Sequence, residues 1–478
     1  MGVFRRRTDG DGSRDRSSPG PGHSLIVTGG ARDVRPPPAA GLRDLVRPAT
    51  VVLLLVPVSM LGATSTGGRF TVVAATAALV PVVATLLALG VLPFRLSYLW
   101  LALFAGLLLV SFFRPVMTTR VAPPVRPRLA DHLDVLRAAA PLQLSRLADL
   151  AGLLCGLALT GLLIASRPHP RQVARVIALS GTAAAAYVLV RGQFVHARLA
   201  GLGCNPNYLG CLLAAPLVTA VGLTRYTRNP RWLLPAALCG LALLQTHSRS
   251  AFLAAAVGVV CAVFLGRSWR AHALLAAGLA AGAGVAAATG MLGRLSRHLA
   301  NLGAADRTAT DLHASNGQRA QVAELAARVI ADHPFRGIGY ALFPAYAQRS
   351  PGFAVYLGTH DEYLRLAAEA GVPALLVFLV LFGLGVLRRR PGELAMPQAV
   401  LLTYVVLLLF ANPLANPVVG VAFWGALGCL LAWRPCRAPG PSRPSIAVRL
   451  GRSGDGRGGA PVPGPASSMQ EAGSHARH

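Results

Sequence analysis

Three short polar segments interrupt an otherwise apolar chain, and each carries a residue suited to holding an anion. The first is RLAGLGCNPNYLG, residues 198–210. Arg198 precedes a glycine-containing turn, and Asn205-Pro206-Asn207 opens the helix that follows. A helix start offers unpaired N–H groups, and a neighbouring guanidinium adds forked donors, so together they suit a phosphate. A plain Asn cap with a snorkelling arginine is the simpler alternative. The second is THSRSAF, residues 246–252. The turn is so short that Arg249 must lie at or just below a membrane surface, with Ser248 and Ser250 placed to cap the next span. An arginine there is costly without an anion beside it, although interfacial anchoring also accounts for it. The third is THDEYLRLAAEAG, residues 359–371. His360, with an unperturbed pKa of about 6.5, suits a general base or a donor to phosphate. Alternatively, Thr359 caps a helix, Glu362 completes a capping box, and Tyr363, Leu364, Leu366 and Ala367 bury one face.

Other chemistries lack their residues. The expected external loops contain no Asp-x-Asp, and the turn STGGR (65–69) has no acid, so a metal bound by paired carboxylates has no evident home. No Gly-rich phosphate loop, HExxH or GxSxG occurs. No cofactor and no metal are expected.

The elements that must hold these segments are membrane helices. Of the 478 residues, 54% are hydrophobic and 13% charged, about half the charged share of a soluble domain. The apolar residues fall in runs of roughly 17–22, the length that crosses about 30 Å of hydrocarbon. The fold class is therefore all-α, a polytopic membrane helix bundle. About twelve spans are read, at 48–66, 70–92, 96–113, 147–165, 173–190, 207–223, 232–246, 250–266, 272–292, 371–387, 397–413 and 416–433. The tails 1–47 and 434–478 are Pro/Gly-rich and polar, and are expected to be disordered; residues 48–433 form the transmembrane domain.

No lysine occurs, so the net charge of +28 is carried by arginine, in keeping with a GC-rich composition. The arginines are spread over loops and tails without aromatic interleaving, which speaks against nucleic acid as a partner. The basic loops RPHPR (167–171), TRYTRNPR (224–231), GRSWR (266–270) and RRR (388–390) alternate with less basic ones. With both tails in the cytoplasm, all four are cytoplasmic, as the positive-inside rule requires. The loop 114–146 resists, being external yet arginine-bearing. Cys155, Cys211, Cys239, Cys261 and Cys429 lie in apolar runs as small hydrophobes, and Cys204 and Cys436 are expected on opposite sides of the membrane.

Loop 293–370 is the largest external segment. Ala320, Val322, Ala323, Leu325, Ala327, Val329 and Ile330 set an apolar stripe through 317–332, between a cap at Asn316 and a stop at Pro334. Ionisable residues are nearly absent from mid-span, and no broken helices repeat in the two halves. Both features weigh against a transporter.

In order and content these segments resemble the O-antigen ligase and O-antigen polymerase family of bacterial membrane glycosyltransferases. The resemblance rests on Arg198 before its NPN helix start, the SRSA hairpin, GQRAQVAELAARVIADHPFRGIGYALF (317–343) and HDEYLRLAAEAGVPALLVF (360–378). It implies a GT-C-like fold in which the external loop lids a cavity. It implies transfer of a glycan from an undecaprenyl-diphosphate lipid donor to a lipid, glycan or protein hydroxyl. The reaction would run without a metal, at the external face of the cytoplasmic membrane. Arg198, Arg249 and His360 match the family's catalytic positions. Arg319 matches the loop's recurrent arginine, with Asn207 and Tyr363 as further substrate contacts. Asp361 departs from the Asn or Ser that often follows the histidine, and would either raise the basicity of His360 or repel the diphosphate. A polymerase joining lipid-linked repeat units, and a flippase of lipid-linked sugars, are the competing readings.

Overall fold

A backbone surrounded by hydrocarbon must satisfy its own N–H and C=O groups, and the apolar runs do so as helices. The computed structural model describes residues 47–61, 66–88, 95–116, 129–195, 197–265, 309–350, 358–387 and 392–433. The tails expected to be disordered (Arg47 apart), the expected span 272–292, Cys436 and the loops GRSWR and RRR lie outside the described residues.

The helices in chain order begin with α1 (Pro48–Leu53), α2 (Leu55–Ser59), α3 (Thr66–Ala88), α4 (Leu96–Phe113) and α5 (Leu129–Ser166). Next come α6 (Pro170–Arg191), α7 (Pro206–Thr227), α8 (Leu233–Thr246) and α9 (Arg249–Phe264). After them lie α10 (Ala309–Asp332), α11 (Phe343–Arg349), α12 (Glu362–Ala370), α13 (Val372–Val386), α14 (Ala395–Leu407) and α15 (Pro417–Ala432). Among the described residues five helices, α3 to α7, contain stretches long and apolar enough to cross a membrane, and shorter apolar helices accompany them. The chain is an integral membrane protein.

Several elements differ from expectation for local reasons. The first expected span, 48–66, is the broken pair α1 and α2 ending at Ser59; at 1.5 Å per residue the pair rises only about 18 Å. The span expected at 397–413 stops as α14 at Leu407, ahead of the Asn412-Pro413 turn. The bundle is not purely helical, because β1 (Gln193–Val195) pairs antiparallel with β2 (Arg198–Ala200), Val195 opposite Arg198. α10 begins at Ala309, so Asn316 does not cap it. Its buried stripe is Val322, Leu325, Ala326 and Val329, while Ala320 and Ala327 are exposed.

The discordant arginines of 114–146 are partly explained by Arg146 near the start of the α5 span. It is buried over the ring of Phe112 and donates to the carbonyls of Phe112 and Tyr340 at 3.5 and 3.4 Å. This arginine stabilises the protein's own backbone rather than marking a side of the membrane.

Helices α5 and α15 pack together at the centre. A Cβ on Gly156 of α5 would lie 2.2 Å from the Trp424 indole nitrogen, so the small residue is what lets the helices approach. Phe378, Phe382, Tyr404, Phe423 and Trp424 form an aromatic cluster there, with ring centroids 4.8–6.0 Å apart. The Tyr404 hydroxyl donates to the Val419 carbonyl, which satisfies it in the apolar interior. The six described cysteines are free thiols, five of them buried.

The two ends of the bundle differ. At one end His169 and Arg171 meet Glu393, at 3.1 and 2.6 Å, and Arg225 donates to the Ala262 and Leu265 carbonyls. The two described basic loops, RPHPR and TRYTRNPR, therefore both meet the turn at Gly392–Glu393. The other end of α7 carries the β-hairpin and Asn205, and there the polar segments gather.

Candidate functional site

Helix α6 ends at Arg191, and the β-hairpin returns the chain toward α7. Leu199 points inward and is buried, which leaves Arg198 on the opposite strand face. The Arg198 Nε donates to the Thr246 carbonyl at 3.0 Å, and Nη2 donates to Asn207 Oδ1 at 2.6 Å. Arg198, the start of α7 and the α8–α9 hairpin are thus one hydrogen-bonded unit. Asn205 caps α7, its Oδ1 accepting from the Asn207 and Tyr208 N–H groups at 3.0 Å. Arg249 is exposed at the first position of α9. Ser248 occupies the N-cap position without accepting from the helix; its hydroxyl lies 3.5 Å from that of Ser250.

The segment carrying His360 reaches this unit through two residues. The Tyr208 hydroxyl donates to the Asn412 carbonyl at 3.3 Å, and Asn412 Nδ2 donates to Thr359 Oγ1 at 3.5 Å. Thr359 does not cap α12, because its hydroxyl donates to the Asp361 carbonyl at 2.8 Å. Asp361 is the cap, accepting from the Leu364 N–H at 2.9 Å. The carboxylate that follows the histidine thus serves the helix. His360 holds a left-handed backbone, φ +54°, a conformation costing about 1 kcal/mol or more for a non-glycine residue. Burial, and then the charge of Arg319, holds its imidazole below the ordinary 6.5. Arg319 is exposed on α10, near enough for its charge to act on His360. Tyr363 turns inward: its hydroxyl donates to the Val405 carbonyl at 3.4 Å and its ring packs on Phe378.

Next to Asn205 and Thr359 lies a polar cavity of about 500 Å³. Asn205 and Tyr208 line one side, Gly358 and Thr359 another, with Arg69, Arg146 and Asp149 from α3 and α5. Arg365 and Glu369 of α12 complete the wall. Arg365 donates to Asp149 and to Glu369, both at 3.0 Å, lies 3.9 Å from Glu362, and stacks over the Tyr340 ring. Glu362 is fully buried and neither carboxylate oxygen accepts a hydrogen bond among the described residues. Burial, only partly opposed by Arg365, pushes its pKa up to about 7. The capping-box role expected of Glu362 is therefore not taken, and α12 is buried on both faces.

Glu369 explains how the long loop is held. Its carboxylate accepts from the Ala341 and Phe343 N–H groups at 2.9 and 3.1 Å, besides pairing with Arg365. The Ile338 and Gly339 N–H groups donate to the Ala368 and Glu369 carbonyls. Gly337 sits at φ +58° so close that a Cβ would lie 2.4 Å from the Glu369 backbone, leaving no room for a side chain. Val322, Leu325, Ala326 and Val329 of α10 then pack on Ile338, Phe343, Ala347 and Ala368. This second core docks α10, with Arg319, beside α12.

The structure thus gathers Arg198, Asn207 and the Arg249 hairpin, and separately brings Arg319 within electrostatic reach of His360. The polar cavity is lined by their chain neighbours Asn205, Tyr208, Gly358 and Thr359, and not by Arg198, Asn207, Arg249, Arg319, His360 or Tyr363 themselves. Sequence reasoning missed Arg69, Arg146, Asp149, Arg365 and Glu369. The readable signal was Glu362, Arg365 and Glu369 recurring at helical spacing, which places the two acids and the arginine on one face. Among the described residues no three His, Cys, Asp or Glu side chains group as metal ligands.

No curated protein matches the chain in comparison. Residues 234–379 match the family model described as O-antigen ligase, a stretch that includes Arg249, Arg319, His360 and the Glu369 clamp. This match, over residues 234–379, supports the O-antigen ligase/polymerase family as what the chain is similar to.

Proposed function

We propose that this protein is a membrane glycosyltransferase that moves a glycan from an undecaprenyl-diphosphate lipid to an acceptor hydroxyl. The supporting observation is that chain neighbours of the Arg198–Asn207–Thr246 unit and of His360, namely Asn205 with Tyr208 and Gly358 with Thr359, line one polar cavity. In this reading the acceptor oxygen attacks the anomeric carbon and the bond from that carbon to the phosphate oxygen breaks. The diphosphate leaves with the electron pair. Arg198 and Arg249 stabilise the departing charge in place of a metal, guanidinium donors matching phosphate oxygens. Arg319, Asn207 and Tyr363 support the substrate groups, Tyr363 by positioning α12 from within. His360 takes the acceptor proton or contacts the diphosphate.

The reading includes a GT-C-like bundle of about twelve spans in the cytoplasmic membrane, to which the shorter apolar helices contribute. Both tails face the cytoplasm, and the cavity and loop 293–370 face outside. The acceptor is a lipid, a glycan or a protein. Purified protein in proteoliposomes, given lipid-linked repeat units alone, tests the class of reaction. A single glycan transferred only when an acceptor is added marks a ligase, and a ladder without one marks a polymerase. Movement of intact donor between leaflets with no glycan released contradicts transfer and marks a flippase.

A further inference from the structure

The turn that carries His360 is held from beyond residues 234–379, by the end of α14. Helix α14 stops at Leu407, and Asn412-Pro413 follows within the next turn. A helix end leaves its last carbonyls without intrahelical donors, and Pro413 has no N–H to give. Helix α12 has the opposite need, because its first N–H groups have no carbonyl one turn back. The two ends answer one another. The Glu362 N–H donates to the Leu408 carbonyl at 2.8 Å, and the Tyr363 hydroxyl donates to the Val405 carbonyl at 3.4 Å.

Asn412 adds a side chain to this junction. Its Nδ2 donates to Thr359 Oγ1 at 3.5 Å, while the Thr359 hydroxyl donates past His360 to the Asp361 carbonyl at 2.8 Å. The Tyr208 hydroxyl donates to the Asn412 carbonyl at 3.3 Å, which ties the same residue to the start of α7. Asn412 Oδ1 is buried and accepts no hydrogen bond among the described residues. The amide therefore acts on the turn as a donor, not as an acceptor. The backbone between these contacts is the strained one. His360 sits at φ +54°, and a non-glycine residue stays in that region only where its surroundings over-determine it. Asn412 and Thr359 fix the chain before His360; Asp361 as cap and Glu362 on Leu408 fix it after.

Resting on the function proposed above, we infer that Asn412 is a positioning residue for His360. Through Thr359 it holds the strained turn, and so sets how the imidazole meets the acceptor hydroxyl or the diphosphate. The rival role is direct contact with substrate, since Asn412 also lines the polar cavity. The two roles part in kinetics. A lost contact that binds substrate and transition state alike raises KM, whereas a misaimed catalytic group lowers kcat.

The test compares the full native chain in proteoliposomes with Asn412→Ala, Asn412→Asp, Thr359→Val and Thr359→Ser. Asn412→Asp keeps the side-chain shape and loses the donor; Thr359→Ser keeps the hydroxyl. The first readout needs no turnover: the rate at which diethyl pyrocarbonate modifies His360, followed by peptide mass at a pH where imidazole is neutral. It should rise about five-fold in the first three variants, the factor one net hydrogen bond is worth, and stay native in Thr359→Ser. The second is polyprenyl diphosphate released from lipid-linked repeat units. There kcat should fall about ten-fold or more with KM held, again except in Thr359→Ser. Asn412→Ala added to Thr359→Val should lower kcat no further than Thr359→Val alone, because both break the same bond. Raised KM with native kcat and native His360 reactivity in Asn412→Asp would make Asn412 a substrate contact and overturn the inference. Native values of all three in that variant overturn it too. Absence of transfer by the native chain would sink the proposed reaction, while the reactivity of His360 would still decide whether Asn412 holds the turn.

Discussion

At His360 two effects act in one direction. Burial and the Arg319 charge both disfavour the imidazolium, so the ring is neutral and able to accept a proton near neutral pH. If it acts as base, the acid limb of kcat/KM lies below 6.5, and activity rises with pH through that limb. Arg319→Ala removes one cause and shifts the limb upward toward the ordinary value. An acid limb that survives His360→Gln unchanged would assign the titration to another group. Glu362 makes a separate prediction about stability. Its carboxyl binds a proton up to about 7 in the folded protein against 4.5 when unfolded, so the folded state holds more protons between those values. Stability therefore falls as pH rises through that window. Glu362→Gln should flatten the slope, as read by thermal unfolding in detergent across pH 4.5–7.

The elements show how a sequence pattern is kept while its purpose differs. Asn205 was legible as a helix cap because its side chain satisfies local N–H groups, and it caps α7 as read. Asp361 was legible only as a departure beside a histidine, yet its carboxylate caps α12. The hairpin bearing Arg198 is three residues a side, too short for an alternation to stand out. Glu369 was hidden for another reason. Its partners, Arg365 apart, are backbone N–H groups of a loop about thirty residues earlier, and no side-chain pattern reports those. The Gly337 turn held by Glu369 gives the element-scale prediction. Gly337→Ala forces a Cβ onto the Glu369 backbone and a left-handed conformation, which alone costs about 1–2 kcal/mol. The dock between α10 and α12 should loosen, seen as faster proteolysis within 309–350 and lost transfer, with the bundle still folded. Unchanged cleavage would mean the loop is held by something other than this clamp.

For the whole molecule, the membrane class was legible because apolar runs of spanning length admit few other folds. The polar cavity was not, since Arg69, Asp149 and Arg365 come from three helices and Asn205 from the cap of a fourth, and they meet only through packing. The described basic loops, RPHPR and TRYTRNPR, adjoin at one end of the bundle and the polar segments gather at the other, so the sidedness is open to direct mapping. Single cysteines at positions 249, 319 and 360 in a variant lacking the native thiols should react with a membrane-impermeant maleimide added outside intact cells. Cysteines at 228 and 393 should react only after permeabilisation, and outside labelling at 393 would reverse the orientation. The most direct test of the account follows the diphosphate itself. In proteoliposomes, glycan transferred and polyprenyl diphosphate released are measured together, for the native chain and for Arg249→Ala. The account predicts equal amounts for the native chain and a fall of about 10²–10³ in turnover for the variant. Transfer by Arg249→Ala at the native rate would contradict it.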